Sequence, residues 1–317
     1  MRWEGGKYEV LTQGKYEIIH DTVMRDNNLM NISKLCKIAG VSRSGYYAWL
    51  AAASSRQERE ESDRAEFDKI LDVYKYRGYA KGARSIHMHL LHRGTRMNLK
   101  KIHRLMNKYG LKCPFRRPNP YKQMAKAIRT NTVFPNVVAR DFVSRGARKV
   151  LLTDITYISY NKKACYLSTI LDAFTHEVLA FKVSPNLQVG FVLETVKNLI
   201  AEHGCTLDDT TIIHSDQGCH YTSKAFIEML HDNDFVQSMS RKGNCWDNAP
   251  QESFFGHMKD EIKYAIAMMR TYDEVSAKIT DWMDYYNNER YQWDLAKLSP
   301  AEFFRYTETG IYPLANV

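Results

Sequence analysis

The 317-residue chain lacks any uninterrupted apolar run near the eighteen or so residues that a membrane span requires. Nor does it open on the basic and apolar segments of a secretory signal. Its six cysteines, Cys36, Cys113, Cys165, Cys205, Cys219 and Cys245, include no CxxC pair. That scatter argues against a zinc ribbon or disulfide framework and predicts free thiols in a reducing cytoplasm. Internal repeats, low-complexity tracts and leucine-zipper heptads are also missing, which removes solenoids and coiled coils. Acidic residues are nearly missing from one region. Residues 79–149 hold 18 Lys/Arg and a single acid, Asp141, while residues 150–317 hold 14 basic and 23 acidic residues. The formal net charge of +9 therefore hides a strongly basic block beside an acidic one. A block of one sign suits a phosphate backbone, whose contacts release counterions, better than it suits an ordinary solvated face, which mixes signs.

Along the chain, residues 1–30 carry weak patterning and receive no role. From Asn31, the segment NISKLCKIAGVSRSGYYAWL predicts helix, turn, helix. Ile32, Leu35, Cys36 and Ile38 line the first helix, Gly40 and Val41 turn, and Ser42 caps the second, with Tyr46, Tyr47 and Leu50 as its apolar surface. Residues 56–76 predict a charged helix with a Phe67, Ile70, Leu71, Tyr74 stripe. Two further helices follow, separated by Gly94 and Thr95, the second capped by Asn98 with Ile102, Leu105 and Met106 inward. Lys100, Lys101, Arg104 and Lys108 crowd its outer side, which makes it the preferred DNA-reading helix. His87, His89, His92 and His103 are expected on the surface or facing DNA, since no cysteine pair joins them in a zinc pattern. Pro114, Pro118, Pro120 and Pro135 mark residues 113–148 as a linker, kept basic by Arg116, Arg117, Lys122, Lys126 and Arg129.

From Lys149 the texture becomes β-rich. KVLLTDITYI, CYLSTILDAFT and EVLAFKVS predict an antiparallel meander turning at Asn161–Lys163 and at Thr175–His176. A helix ended by Gly204, a strand running to Asp216, a helix over about 223–232, the short strand VQSMS and a helix carrying Glu252 complete a mixed sheet with packed helices. Asp154, inside a β run, and Asp216, at a strand end, join Glu252 as candidate metal ligands. A carboxylate in a buried strand is costly unless it is paired or holds a cation. Three such groups suit hard Mg²⁺ or Mn²⁺ and phosphoryl chemistry. Asp172 and Asp247 are rivals for the same role.

The motifs TDITYI, HSDQGCHYTS, SMSRKGNCWDNAPQESFFGHMKDE and YYNNERYQWDLAKLSPAEF, with 35 residues between Asp216 and Glu252, resemble the second-frame (OrfB) DDE transposases of the large bacterial insertion-sequence family numbered three. The likeness spans about residues 30–310. It implies a ribonuclease-H-like core of five mixed strands with flanking helices, as in retroviral integrases, preceded by a helix-turn-helix-type DNA-binding region. It also implies Asp154, Asp216 and Glu252 as ligands for two Mg²⁺ ions, Mn²⁺ being an alternative, and Lys259 as the basic residue seven positions after the Glu. Positions i and i+7 share a helix face, so Lys259 and Lys263 are expected beside Glu252, toward DNA phosphate, with Phe255, Met258 and Ile262 toward the sheet. Arg241 and Lys242, in the loop before this helix, are expected to touch the DNA end. Asn248 is expected to cap the helix, and Trp246 either packs or inserts near bases.

The expected domains are 1–55 (helix-turn-helix-like), 56–112 (basic helical DNA-binding), 113–148 (linker), 149–265 (catalytic core) and 266–317 (helical extension). The expected chemistry is cleavage at element ends by water, then attack of the exposed 3′-hydroxyl on target DNA. Double-stranded DNA, further copies of the chain and an upstream-frame protein, free or fused, are the expected partners. A hydrolytic nuclease of the same fold and a silent DNA-binding regulator are the alternatives. The family's usual YG-R element is here YRGYAKGARSI, a departure that leaves DNA contacts in that segment open.

Overall fold

The computed structural model describes residues 2–4, 7–9, 11–113, 134–139, 141–142, 144–240 and 248–315. It divides into two compact units, Met1–Lys69 and Ile70–Val317.

The first unit opens with an antiparallel hairpin, β1 (Arg2–Glu4) and β2 (Lys7–Glu9), followed by α1 (Thr12–Val23), α2 (Ile32–Ala39), α3 (Arg43–Ala51) and the first part of α4 (Ala53–Lys75). Helix α2 starts where the Asn31 side chain accepts the Lys34 N–H and stops at Gly40, whose φ of 65° places it in the left-handed region. Such a stop favours glycine because a Cβ there would crowd the backbone. Ser42 Oγ then accepts the Gly45 N–H at 3.0 Å and starts α3. The core of this unit is Ile19, Cys36 and Tyr46, with Tyr16, Ile32, Leu35, Ala39 and Trp49 around them. Two expectations need correction. Ile38 is 67% exposed, and Tyr47 and Leu50 also face outward. On a 3.6-residue helix the stripe is 32, 35, 36, 39, and residue 38 falls well off it. The segment given no role contributes α1, which supplies Ile19 and Tyr16 to the core.

In the second unit, the end of α4 buries Ile70 and Val73, leaving Leu71 and Tyr74 only half-buried. A turn at Arg77 and Gly78, both with positive φ, leads to α5 (Ala83–His92) and α6 (Leu99–Lys108). Asn98 accepts the Lys100 N–H at 2.8 Å, as expected of a cap. The YRGYAKGARSI segment is tied down by the chain itself. Tyr79 Oη donates to Asp281 at 2.6 Å, Arg77 bonds Asp281, Asp284 and Glu289, and fully buried Lys81 donates to the Tyr76 and Tyr79 carbonyls.

The sheet follows: β3 (Val150–Tyr160), β4 (Lys163–Asp172), β5 (Val178–Ser184), α7 (Val189–His203), β6 (Ile212–Ser215), α8 (Lys224–His231), β7 (Val236–Met239). Its order is β5-β4-β3-β6-β7, with β3–β4–β5 antiparallel and β6 and β7 parallel to β3. This is the mixed five-stranded, ribonuclease-H-like sheet expected of the sequence. Asn161 and Lys162, at φ of 39° and 60°, make the first turn, the left-handed pair that a tight hairpin needs. Gly204 does not end α7 by a left-handed turn. Its φ is −53°, and the chain winds one more short turn to Thr206.

Strand alternation separates two cores. Val150, Leu152, Ile158 and Ile212 pack with α9 (Ala249–Met268) and α10 (Tyr272–Asn288), whereas Leu151, Ile170, Leu179 and Ile213 pack with α7 and α8. A last helix, α11 (Pro300–Thr309), follows. The boundary expected at 265/266 falls inside continuous α9. Residues 266–317 are not an appendage, because α10 buries Ile279, Trp282 and Tyr286 in the same core as β3. Buried Glu261 joins the two helices, accepting from Trp282 Nε1 at 2.9 Å and from Arg290 Nε at 3.0 Å.

The histidine expectation is also corrected. His103 is exposed, but His89 is only 3% exposed, and His92 stacks on Tyr291 with ring centroids 3.5 Å apart. Burial and nearby cations push His89 down to about 3, so it is a neutral core residue. Among the described residues no group of three or more His, Cys, Asp or Glu is close enough to hold a metal ion, and no helix is long and apolar enough to cross a membrane.

Candidate active site

Parallel pairing of β3 with β6 sets the positions of two acids. The last paired residues are Leu152 and His214, so two residues further along each chain Asp154 and Asp216 stand level, just past the end of β6 at Ser215. Alternation puts Asp154 on the Leu152 side of the sheet, the side covered by α9. Its carboxylate accepts the Ile155 N–H at 2.7 Å. Asp216 Oδ1 accepts the Gly218 N–H at 2.8 Å, closing a small turn over the strand end. A Cβ at Gly218 would lie 2.9 Å from that same oxygen, which is why the SDQG turn needs glycine there.

The start of α9 is anchored beside these acids. Gln251 is fully buried, and its Nε2 donates to Thr169 Oγ1 on β4. Thr169 is the cross-strand partner of Asp154. That contact brings the first turn of α9 to the level of Asp154 and leaves the next residue, Glu252, exposed there. The first turn of a helix favours a carboxylate through the helix dipole. Phe254, Phe255, Met258 and Ile262 bury the opposite side of α9, as expected. Asn248 occupies the cap position but makes no capping bond. It is 6% exposed and its Oδ1 has no hydrogen-bond partner in the structure, so the capping expectation fails.

Electrostatics tie the group together. Burial first, then the charges of Asp216 and Glu252, push Asp154 up to about 7, while the Ile155 N–H and Lys259 pull the other way. Lys259, two turns beyond Glu252, is half-buried, with Nζ 4.9 Å from the Tyr157 ring centroid. Burial lowers its pKa and the Asp154 charge offsets part of that.

A pH dependence follows. Asp154 ionises at 3.8 in an ordinary setting and at about 7 in the fold. The proton it holds stabilises the fold fully below 3.8, and that stabilisation is lost as pH rises through about 7. The change is worth at most about 4 kcal/mol. Asp154→Asn should therefore melt above wild type at pH 8.5 and lose that advantage toward pH 5, as thermal melts across the range will register. A constant difference over this range would remove the buried-carboxylate account.

Asp172, the rival in β4, is fully buried at the other end of β3. It accepts from the Arg148 backbone N–H at 2.9 Å and from its guanidinium at 3.3 Å, and it also bonds the Phe174 N–H. Its role is structural. On α6, Lys100, Arg104 and Lys108 are exposed and Lys101 half-buried, opposite buried Ile102, Leu105 and Met106. Lys263 is exposed on α9, about 16 Å along the axis from Glu252, in a separate cleft with Arg77, Tyr79 and Lys278. Arg116, Arg117, Arg241, Lys242, Trp246 and Asp247 lie outside the described residues, as do residues 114–133 of the expected linker. Sequence reasoning missed Gln251, Gly218 and Tyr157. Only Tyr157 carried a usable signal, an aromatic three residues after the acid on the same strand.

Sheet order and the helix laid across β3 define the integrase-core class. Comparison with known families agrees, since residues 145–245 and 233–300 match models described as "Integrase core domain" and residues 61–119 match an "HTH-like domain". The chain is 33% identical over 213 residues to an uncharacterized transposase-like protein of Haemophilus influenzae, covering 66% of this chain and 93% of that one. It is 30% identical to the transposase for insertion sequence element IS904 of Lactococcus lactis (75% and 93% covered) and 29% identical to the putative transposase InsK for IS150 of Escherichia coli (86% and 93% covered). The solved catalytic core of BIV integrase is a looser likeness, with TM-score 0.40 and 16% identity over 51% of this chain and 97% of that one. The chain belongs to the IS3-type family of bacterial insertion-sequence transposases.

Proposed function

We propose that this transposase cuts a DNA strand at the ends of its insertion element and joins the exposed 3′-hydroxyl to target DNA, with Asp154, Asp216 and Glu252 as the ligands of two divalent cations. The observation that supports the proposal is that Asp216 and Glu252 lie near enough to Asp154 for their charges to act on it, on the side of the sheet that α9 covers. Asp154 lies on β3, Asp216 follows the end of neighbouring β6, and the Gln251–Thr169 bond holds the start of α9, which carries Glu252, against β4. Their chemistry fits Mg²⁺, or Mn²⁺, which prefer carboxylate oxygens and keep open positions for substrate oxygens. The backbone bonds to Ile155 and Gly218 occupy Oδ1 of each aspartate, which leaves Oδ2 as a donor. Burial first, and then the like charges of Asp216 and Glu252, raise Asp154, and a bound cation offsets both. Bound there, divalent ions supply Lewis-acid stabilisation of charge at phosphorus and activation of the attacking hydroxyl or water.

The chain's own residues do the rest. Lys259, on the Glu252 side of α9, holds a phosphate oxygen beside the acids. Lys100, Lys101, Arg104, Lys108 and Lys263, with Arg116, Arg117, Arg241 and Lys242, bind the duplex backbone, where each contact adds affinity that falls with salt. Pairing two element ends calls for at least two copies of the chain, and an upstream-frame protein adds end recognition. The setting is the bacterial cytoplasm.

A labelled duplex ending in the terminal repeat that flanks this coding sequence, incubated with target DNA and Mg²⁺, tests the proposal, with and without the upstream-frame protein. Joined products that vanish in EDTA are expected. Cleavage without joining would assign a hydrolytic nuclease instead, and DNA retardation without chemistry a regulator.

A further inference from the structure

Among the described residues of β3, Tyr157 is the large apolar side chain left to solvent, with Ser159 also exposed two residues on. Its neighbours Thr156 and Ile158 are buried, yet Tyr157 is 63% exposed. β6 ends at Ser215, and the last β3–β6 pair is Leu152 with His214, so β3 from Asp154 onward pairs with no strand on that edge among the described residues. A cleft of about 240 Å³ opens there. Asp154, Asp216, Tyr157, Tyr166, Leu187 and His220 are among the residues that line it. Tyr157 and Tyr166 are direct cross-strand partners, so both side chains stand on the same face of the sheet and line one wall of the cleft. Leu187 adds an apolar edge that is 46% exposed. The Lys259 ammonium, 4.9 Å from the Tyr157 ring centroid, stands over this wall and close enough to Asp154 to shift its titration.

We infer that Tyr157 is a stacking platform for the nucleobase adjoining the phosphate that the acids and Lys259 engage. The inference rests on the transposase reading of the site and specifies how that site grips the DNA end. Tyr157 stands three positions along β3 from Asp154, about 10 Å of backbone, and both residues line the same cleft. Every base offers a π face, so an aromatic platform holds whichever base lies there, and charged groups beside it hold the backbone. The cation over the ring fixes the ring plane and supplies positive charge next to the wall. An aromatic at this place leaves most of its surface to water in the free protein. A base stacked on it excludes water from the acids while leaving the phosphate beside them.

The test separates stacking from chemistry. A terminal-repeat duplex carries 2-aminopurine in turn at each of the positions flanking the cleaved phosphate, and its fluorescence is read on binding in EDTA, where no bond is broken. Wild type should change the fluorescence at one position. Tyr157→Ala should remove that change and weaken binding of the end by about 5- to 100-fold, the range of single base–aromatic contacts. Tyr157→Phe should retain both. Replacing the responding base by an abasic residue should weaken wild type to the level of Tyr157→Ala and leave Tyr157→Ala itself unaffected. The exposed ring predicts equal melting temperatures for all three proteins, so a lost signal is not a lost fold. Identical profiles for wild type and Tyr157→Ala, or additive losses from the abasic residue and the alanine, overturn the inference. Failure of wild type to cleave in Mg²⁺ would overturn the catalytic reading instead, and the fluorescence result would stand apart from it.

Discussion

Replacing Asp216 by Asn is expected to remove strand cleavage and joining together, by about 10³-fold or more, with no loss of fold. Asp216 lies past the end of β6, with its carboxylate exposed and a single bond from the Gly218 N–H to Oδ1. An asparagine oxygen accepts that N–H equally well, so the SDQG turn survives. What disappears is one negative charge from a set whose purpose, in the proposed function, is to hold divalent cations. Such ions contribute several kcal/mol of charge stabilisation at phosphorus, and each 1.36 kcal/mol is a factor of ten in rate. Both reactions are displacements at the same site, so both should fall by the same factor. The assay is the joined and cut product yield in Mg²⁺, with retardation of the duplex as the control. DNA binding should change little. A variant that still cuts within tenfold of wild type would remove Asp216 from the reaction and reopen the choice of acids.

Arg148→Met is the change expected to cost the most stability, about 3–5 kcal/mol, which lowers the melting temperature by roughly 10 °C. Arg148 is 5% exposed. Its guanidinium donates to Asp172 at 3.3 Å and to Glu177 at 2.7 Å, and it lies 3.9 Å from the centroid of the Phe304 ring. Removing the cation leaves Asp172, itself 0% exposed, as a buried carboxylate held only by backbone N–H donors. Its φ of 64° is a second cost that methionine inherits unchanged, so the measured difference isolates the side chain. Chemical denaturation at pH 7 measures the loss. A change under 1 kcal/mol would mean that water replaces the guanidinium and that the pair is not sealed. Because Asp172 lies away from the Asp154 side, the folded fraction of this variant should retain cleavage at the wild-type rate, which separates the two acids by role.

The sheet was legible because strands and turns are local. The period-two runs at 150–160 and 163–172 with a tight turn between them can hardly fold otherwise, and the β-branched run before Asp216 had to be a buried strand. The basic block and the helix carrying Glu252 and Lys259 were legible for the same reason, since charge and 3.6-residue spacing are read within a few turns. Failures came where partners are distant in sequence. His89 and His92 read as surface groups until Tyr291, about two hundred residues away, covers them. Residues 266–317 read as an extension, although Trp282 is part of the core beneath β3. Ile38 was taken for core because an eight-residue helix offers too few turns to define its stripe.

For the site, the residue types and their spacing were in the sequence, and so was the family likeness that joined them. By itself the sequence determined which acids were available, that two of them end or occupy strands, and that a lysine shares the face of Glu252. Only the tertiary structure decided how these groups lie relative to one another. Register between β3 and β6 brings Asp154 level with Asp216, and a buried Gln251 bonded to Thr169 sets the start of α9 against them. Burial, with the charges of Asp216 and Glu252 added to it, raises Asp154 to about 7. A carboxylate's burial and its like-charged neighbours are properties of three-dimensional position, which no spacing along the chain contains.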